Sequence, residues 1–387
     1  MSSRSIGQLI PLALATIAWS ACAPSGADQV DGHYYPGPGD AWEHRTPAEV
    51  GMDAALVQQV VEYAKAHDSE VVPYDYSGHE EKFGKLEGPL PEERGGPAGV
   101  ILRNGYIVAE WGDTKRVDLT FSVTKSFVST MVGLAYDREM IDDVTDPIGE
   151  YVKDGKFDSP HNSQITWEIL LQQRSEWEGT LFGKSDTADF YHRRGRTKPR
   201  QAPGTHYEYN DVRVNLASYA ALQVWRRSLP RVLQELVMDP IGATDTWVWH
   251  GYGTSNVEID GQTINSVAGG GHWGGGLWIS ARDMARFGLL FLRRGLWRGD
   301  ALLSPEWIDL ATTPSPISPN YGFMWWLTPE DDAKPGTPIP VFAARGYGSN
   351  VIWIDSEHDL VVVLRWFGGD AGEFFGPLIE SVAKETE

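Results

Sequence analysis

Between Pro47 and His67, apolar positions recur at helical spacing (Val50, Leu56, Val60, Val61, Ala64), which predicts a helix. The polar stretch 70–97, rich in Gly and Pro, reads as a loop. Two apolar runs follow, Gly99–Arg103 and Tyr106–Glu110, and Asn104-Gly105 between them predicts a hairpin. Leu119–Tyr136 is helical in pattern, residues 140–260 mix helical stretches with Pro- and Trp-rich loops, and Ile279–Arg294 predicts a clear helix. Asn350–Asp355 and Asp359–Trp366 predict two strands around Ser356-Glu357-His358, and Phe374–Lys384 a closing helix. Strands thus lie at both ends of the chain with helices between them. That order predicts an α+β fold, with a sheet built from the N- and C-terminal parts and an inserted, mostly helical domain. The expected division is 46–118 with 265–387 for the sheet domain and 119–264 for the helical one. A crevice between them is a natural place for a site.

The chain's start adds a location. Residues 1–21 carry Arg4, an apolar stretch from Ile6 to Ala18, and Trp19-Ser20-Ala21 before Cys22, the outline of an export signal. Its apolar core is too short to span a bilayer, and no other segment would. Ser-Ala-Cys resembles the end of a bacterial lipobox, which makes Cys22 a lipidation candidate, although Trp19 stands where that box usually has Leu. The alternative is simple secretion with cleavage near Ala21. Residues 22–45, rich in Gly, Pro, Asp and Ala, read as a tether. The expectation is a periplasmic or extracellular protein, touching a membrane only through an N-terminal lipid.

Composition narrows the chemistry. A formal net charge of −20 would be repelled by phosphate backbones, so nucleic acid is not an expected partner. The longest basic cluster, Arg193 to Lys198, reads as a solvated loop. A single cysteine excludes an internal disulfide framework and a cysteine-based metal site. The ten His residues are scattered with no His-Glu-x-x-His, so neither a catalytic metal nor another cofactor is expected. There is no Gly-x-Ser-x-Gly elbow. Gly179 to Ser185 looks like a phosphate loop but is one residue short and follows no strand.

Ser122-x-x-Lys125 is the first candidate for chemistry. Residues three apart share a helix face, so the hydroxyl and the amine can meet. Serine is a weak nucleophile until a base takes its proton, and a desolvated lysine can be that base. A helix N-terminus adds positive potential that helps an oxyanion. A second Ser-x-x-Lys, Ser381 to Lys384, lacks a following apolar run and reads as a solvated helix end. The first precedes Phe127, Val128, Met131, Val132 and Leu134, which would bury its helix.

Residues 202–211 read Ala-Pro-Gly-Thr-His-Tyr-Glu-Tyr-Asn-Asp. A Pro-Gly-x-x-x-x-Tyr-x-Asn stretch after a Ser-x-x-Lys helix resembles the class C β-lactamases and their esterase and peptidase relatives in the penicillin-binding-protein superfamily. The resemblance implies a transpeptidase-like fold with an antiparallel sheet, and Tyr209 as the group that relays a proton between Lys125 and the leaving group. Tyr207 is the alternative. Asp211 stands where the family has Asn; a carboxylate only accepts hydrogen bonds, and beside Lys125 it favours the charged amine.

The family's third element is Lys/His-x-Gly on an edge strand. Here Arg345-Gly346-Tyr347-Gly348-Ser349 leads into Val351–Asp355, with Gly346 at the cation's position. The resemblance implies that Gly346, Tyr347 and Gly348 line the site and that the amides of Ser122 and Ser349 form an oxyanion hole. Arg345 is the candidate to replace the missing cation, unless strand alternation points it elsewhere. Ile165 to Ser175, with Gln173 at a family His position, and Gly274 to Gly288 extend the resemblance to roughly residues 45–385. His272 and Trp273 are candidate pocket-lining residues.

The expected function is hydrolysis of a small ester or amide through an acyl-enzyme on Ser122. Two rivals stand beside it: a β-lactamase or D-Ala-D-Ala peptidase in which Arg345 reads the carboxylate, and a silent, envelope-tethered binding protein that keeps the fold.

Overall fold

The computed structural model describes residues 29–30, 32–71, 74–88, 90–188, 200–271, 274–329, 336 and 338–382. The export segment, Cys22, the Arg193–Lys198 cluster, His272, Trp273 and Lys384 lie outside them.

Both ends of the chain meet in one antiparallel sheet. Its N-terminal strands are β1 (Ala98–Arg103) and β2 (Tyr106–Trp111), the hairpin around Asn104-Gly105. Four later strands complete it: β7 (Trp326–Leu327), β8 (Val341–Gly346), β9 (Asn350–Asp355) and β10 (Leu360–Arg365). The order is β7-β8-β9-β10-β1-β2, with β10 joining the two parts from Leu360↔Arg103 to Arg365↔Ala98. All six residues of β10 are buried, because helices cover both faces and neither has to be polar. On one face, Ile101, Trp353, Val362 and Leu364 pack against α1 (Ala54–Ala66) and α6 (Ala371–Glu380). On the other, Val100, Leu102, Ile352, Val361 and Val363 belong to the main core with α3 (Thr124–Tyr136) and α5 (Ala281–Leu292).

Caps decide where the helices begin. Asp53 accepts from the amides of Ala55 and Leu56, so α1 starts after a short 3-10 turn at Pro47–Val50 rather than at Pro47. Ser280 caps α5, leaving Ile279 in a strand, and Asp370 caps α6 one turn before the predicted start at Phe374. The predicted loop 70–97 contains a short helix, α2 (His79–Phe83).

The larger departure lies in the middle of the chain. Val248–Ile259 (β4) and Gln262–Val267 (β5) form a long hairpin across Asp260-Gly261, both at positive φ. With β3 (Asp118–Leu119) and β6 (Gly276–Ile279) they make a second sheet, in the order β3-β6-β4-β5. Arg365, wholly buried at the end of β10, binds the two sheets together. Its guanidinium donates to Ile279 O (2.7 Å), Leu119 O (3.2 Å) and Asn350 Oδ1 (2.7 Å).

Candidate active site

Ser122 lies in a 3-10 turn, Phe121–Val123, that runs into α3. The helix is buried from Thr124 to Ala135, the pattern of a helix surrounded by protein rather than one with a wet face. Two threonines fix its entry: Thr120 Oγ1 donates to Leu277 O (2.9 Å), and the Leu277 amide donates to Thr124 Oγ1 (3.1 Å). Phe121 sits at φ 50°, a conformation that L side chains rarely adopt. The half-buried Ser122 is thereby held at the mouth of the helix.

Lys125 is buried, and its Nζ meets three oxygens: Ser122 Oγ at 2.7 Å, Asp211 Oδ1 at 2.6 Å and Gly269 O at 3.3 Å. The same nitrogen stands 4.9 Å from the Tyr209 ring centroid. Of the two candidate tyrosines, Tyr209 is the one under the amine; Tyr207 packs on Tyr321 at 5.5 Å. Tyr209 stacks on Trp326 at 5.7 Å, and Tyr321 meets it edge-on at 6.2 Å. Burial pushes the Tyr321 phenol well above its ordinary range. Burial does the same to Tyr252, and the Asp211 charge adds to it. Both remain neutral hydroxyls at any working pH.

Asn210 caps α4 (Asp211–Trp225) by accepting from the Arg213 amide, which turns Asp211 toward Lys125 in the helix's first turn. Beneath it lies a buried ion cluster. The Arg213 side chain, 0% exposed, pairs with Glu208 at 2.7 Å and Glu176 at 3.4 Å, with Asp186 at 3.6 Å. Arg200 closes on Asp186 at 2.5 Å. Burial raises the Asp186 carboxyl, but Arg200 and Arg213 outweigh it and hold the group below the usual carboxylate range. Glu176, His206 and Glu208 also bring ligand-type atoms within 4.8 Å of one another, but Arg213 already pairs with both carboxylates. Gln173 adds two further ties: its Oε1 accepts from the Asn210 amide (3.1 Å) and its carbonyl from the Glu208 amide (2.9 Å).

The third motif forms the opposite wall. A Cβ on Gly346 would stand 2.0 Å from Thr120 O and 3.1 Å from the Ser122 amide nitrogen, so only glycine lets β8 lie against this turn. Gly348, at φ 75°, has no room for a Cβ against Trp366. Asn350 braces the turn by donating to Tyr347 O (2.7 Å) while accepting from Arg365. Tyr347 and Ser349 are exposed at the tip, with Ser349 at φ 52°. Arg345 does not take the missing cation's place. It pairs in register with Val351, on the β8 face whose Val341 and Ala343 pack toward α1 and α6, whereas Gly346 faces Ser122.

Several members of the site were not singled out from sequence: Gly269, Asn215, Tyr321, Trp326 and Arg213. One signal was available, the run Gly269-Gly270-Gly271. A Cβ on Gly270 would strike Phe121 O at 2.0 Å, and one on Gly271 the Asp211 carboxyl carbon at 2.0 Å. Asn215 Oδ1 accepts from the Gly269 amide at 2.7 Å and fixes the carbonyl that Lys125 meets.

A serine and a lysine one helical turn apart, set between two such sheets, define the class: a serine hydrolase of transpeptidase-like fold. The beta-lactamase family profile matches residues 85–368, and the chain belongs to that family. It is 24% identical over 301 residues to a 6-aminohexanoate-dimer hydrolase of Paenarthrobacter ureafaciens, covering 70% of this chain and 72% of the relative. Among solved structures it is similar to a beta-lactamase/D-alanine carboxypeptidase from Pseudomonas syringae, with TM-score 0.56, 14% identity, and 86% and 100% of the two chains covered. A family VIII carboxylesterase gives TM-score 0.54, 16% identity, and 86% and 98% coverage.

Proposed function

We propose that this protein hydrolyses an ester or small amide through an acyl-enzyme on Ser122. The observation that carries the reading is the set of contacts around Lys125 Nζ. A neutral amine has two hydrogens and one lone pair. Lys125 Nζ donates to Ser122 Oγ at 2.7 Å and to Gly269 O at 3.3 Å, with the Asp211 carboxylate at 2.6 Å; once the amine gives up one proton, its two hydrogens can stay on Asp211 and Gly269 O while the lone pair turns to Ser122 Oγ. Lys125 then takes the Ser122 proton as Oγ attacks the carbonyl carbon. The Ser122 amide, with a second amide from the 346–349 turn for which Ser349 is the candidate, stabilises the oxyanion. Tyr209, beside Lys125, passes the proton to the leaving group, and water releases the acid by the reverse relay.

The substrate follows from the missing cation. With Gly346 at that position and Arg345 on the other face of β8, the strand presents no cation to Ser122, which favours a substrate without a recognised carboxylate. The Paenarthrobacter relative is named for a 6-aminohexanoate dimer and one fold neighbour is a carboxylesterase; both support the ester or amide branch. Export through residues 1–21, with Cys22 as lipid anchor, belongs to the same proposal, and metabolic labelling with a fatty acid in wild type and Cys22→Ser tests it.

The test of the activity is intact mass after brief exposure to a fluorophosphonate, an activated short-chain ester and a penicillin, with Ser122→Ala alongside. Adducts from the ester that vanish in the variant are expected. A penicillin adduct would move the assignment to the peptidase or β-lactamase branch, and no adduct from any reagent on folded protein would leave a silent binding protein.

A further inference from the structure

Two aromatic groups stand at different points along β8, whose Gly346 faces the Ser122 turn. Trp326, stacked on Tyr209, pairs with Ala343, three residues and about 10 Å of strand before Gly346. Tyr347 follows Gly346 immediately, beyond the end of β8 that is farther from Trp326. Its ring meets Phe121 edge-on at 5.4 Å, and Phe121 in turn meets Trp366 at 6.2 Å. Tyr347 is nonetheless 60% exposed, the most exposed of the large apolar side chains among the described residues. Its backbone is braced by Asn350 and its neighbour Gly348 is confined by Trp366, so the ring is presented from a built turn.

The chemistry assigns the two sides. The tetrahedral carbon carries Ser122 Oγ, the oxyanion, the acyl substituent and the leaving group. The oxyanion faces the Ser122 amide. The leaving group must face its proton donor, on the Tyr209 and Trp326 side. The acyl substituent is then directed away from Tyr209, toward Phe121 and Tyr347. Resting on the hydrolase reading above, we infer that Tyr347 is a specificity-determining residue that receives the acyl part of the substrate, and that the acyl group is an uncharged, extended or aromatic one. An exposed ring backed by a buried aromatic pair gains by being covered with apolar surface. The charges at the far end of this aromatic set are already engaged, Arg94 over Trp366 and paired with Asp68, and Asp118 accepting from Trp366 Nε1, while Arg345 lies on the opposite face of β8.

The experiment compares kcat/KM for p-nitrophenyl acetate and p-nitrophenyl hexanoate in wild type, Tyr347→Ala and Tyr347→Phe. A second series varies the alcohol at fixed acyl group. Tyr347→Ala is expected to lower the hexanoate-to-acetate ratio about 16-fold, because each covered methylene contributes roughly a factor of four and the ring covers about two of the extra ones. Tyr347→Phe should keep the wild-type ratio, and the alcohol series should be alike in all three proteins. An unchanged acyl ratio in Tyr347→Ala, or a changed dependence on the alcohol instead, overturns the inference while Ser122-dependent turnover still stands. Absence of any Ser122-dependent turnover overturns both this inference and the reading it rests on.

Discussion

The two walls beside Ser122 are built on different principles. The Tyr209 wall is side-chain chemistry: a lysine, an aspartate and four aromatic rings, held from below by Arg213 and three carboxylates with little access to water. The Gly346–Ser349 wall is backbone, held by glycines that admit no Cβ and by one asparagine, with its side chains turned outward. The first is rigid because its charges compensate one another. The second is close because nothing stands between β8 and the Ser122 turn. Substitutions on the first wall should therefore act through charge and fold stability, and on the second through the oxyanion's geometry.

The largest effect expected is on the nucleophile and its base. Ser122→Ala and Lys125→Ala should each lower ester kcat by at least about 10³-fold; Ser122→Ala should leave thermal stability little changed, while Lys125→Ala, which strands the buried Asp211 carboxylate, should lower it as well, and turnover and melting read together separate the two effects. Next is the backbone wall. Gly346→Ala should lower kcat by about 10²-fold or more, the usual loss for one oxyanion donor, because the new methyl drives β8 off Thr120 and Ser122. Unaltered kcat in a folded variant would show that β8 supplies nothing to the oxyanion.

On the charged wall, Arg213→Ala should cost about 3–5 kcal/mol in denaturant unfolding, since it strands buried carboxylates. Glu208→Gln, at the solvent side of the cluster, should cost less and is the variant in which to read activity. Asn350→Ala is smaller again: about 1–2 kcal/mol from an orphaned Arg365 contact, with a loosened 346–349 turn and a modest fall in kcat.

Acid separates the walls without mutation. The Asp186 carboxyl titrates lower folded than unfolded, so its contribution to stability is present above the unfolded value of about 3.9 and is lost as pH falls through the folded one. As pH falls below about 4, the Tyr209 wall should loosen before the sheet does. Tyrosine or tryptophan fluorescence near Trp326 that changes ahead of far-UV circular dichroism would show this; coincident transitions would mean that the cluster and the sheet unfold as one unit.

Much of this was legible because it is local. Ser122 and Lys125 are one helical turn apart, and Pro203 to Asp211 and Arg345 to Ser349 are short runs that resemble, in order along the chain, the motifs of the family. The β1–β2 hairpin was readable from Asn104-Gly105. The β4–β5 hairpin carries an equivalent Asp260-Gly261 signal, but it was masked: a register shift between Gly251 and Asn256 breaks the alternation, and β4 mixes buried and half-buried positions. Strand period cannot be read through a bulge.

By itself, then, the sequence determined most of the helices, the strands of the β1–β2 and β9–β10 hairpins, the tight turn at Asn104-Gly105, and which nucleophile and base lie one helical turn apart. These depend on residues within a few positions of each other. Only the tertiary structure decided that Asp211, Gly269 and Tyr209 converge on one amine, that Arg213 closes an ion cluster beneath them, and that Arg345 faces away from Ser122. Those outcomes depend on contacts across as many as 144 positions and on the side of a strand that packing selects, and no local pattern encodes either.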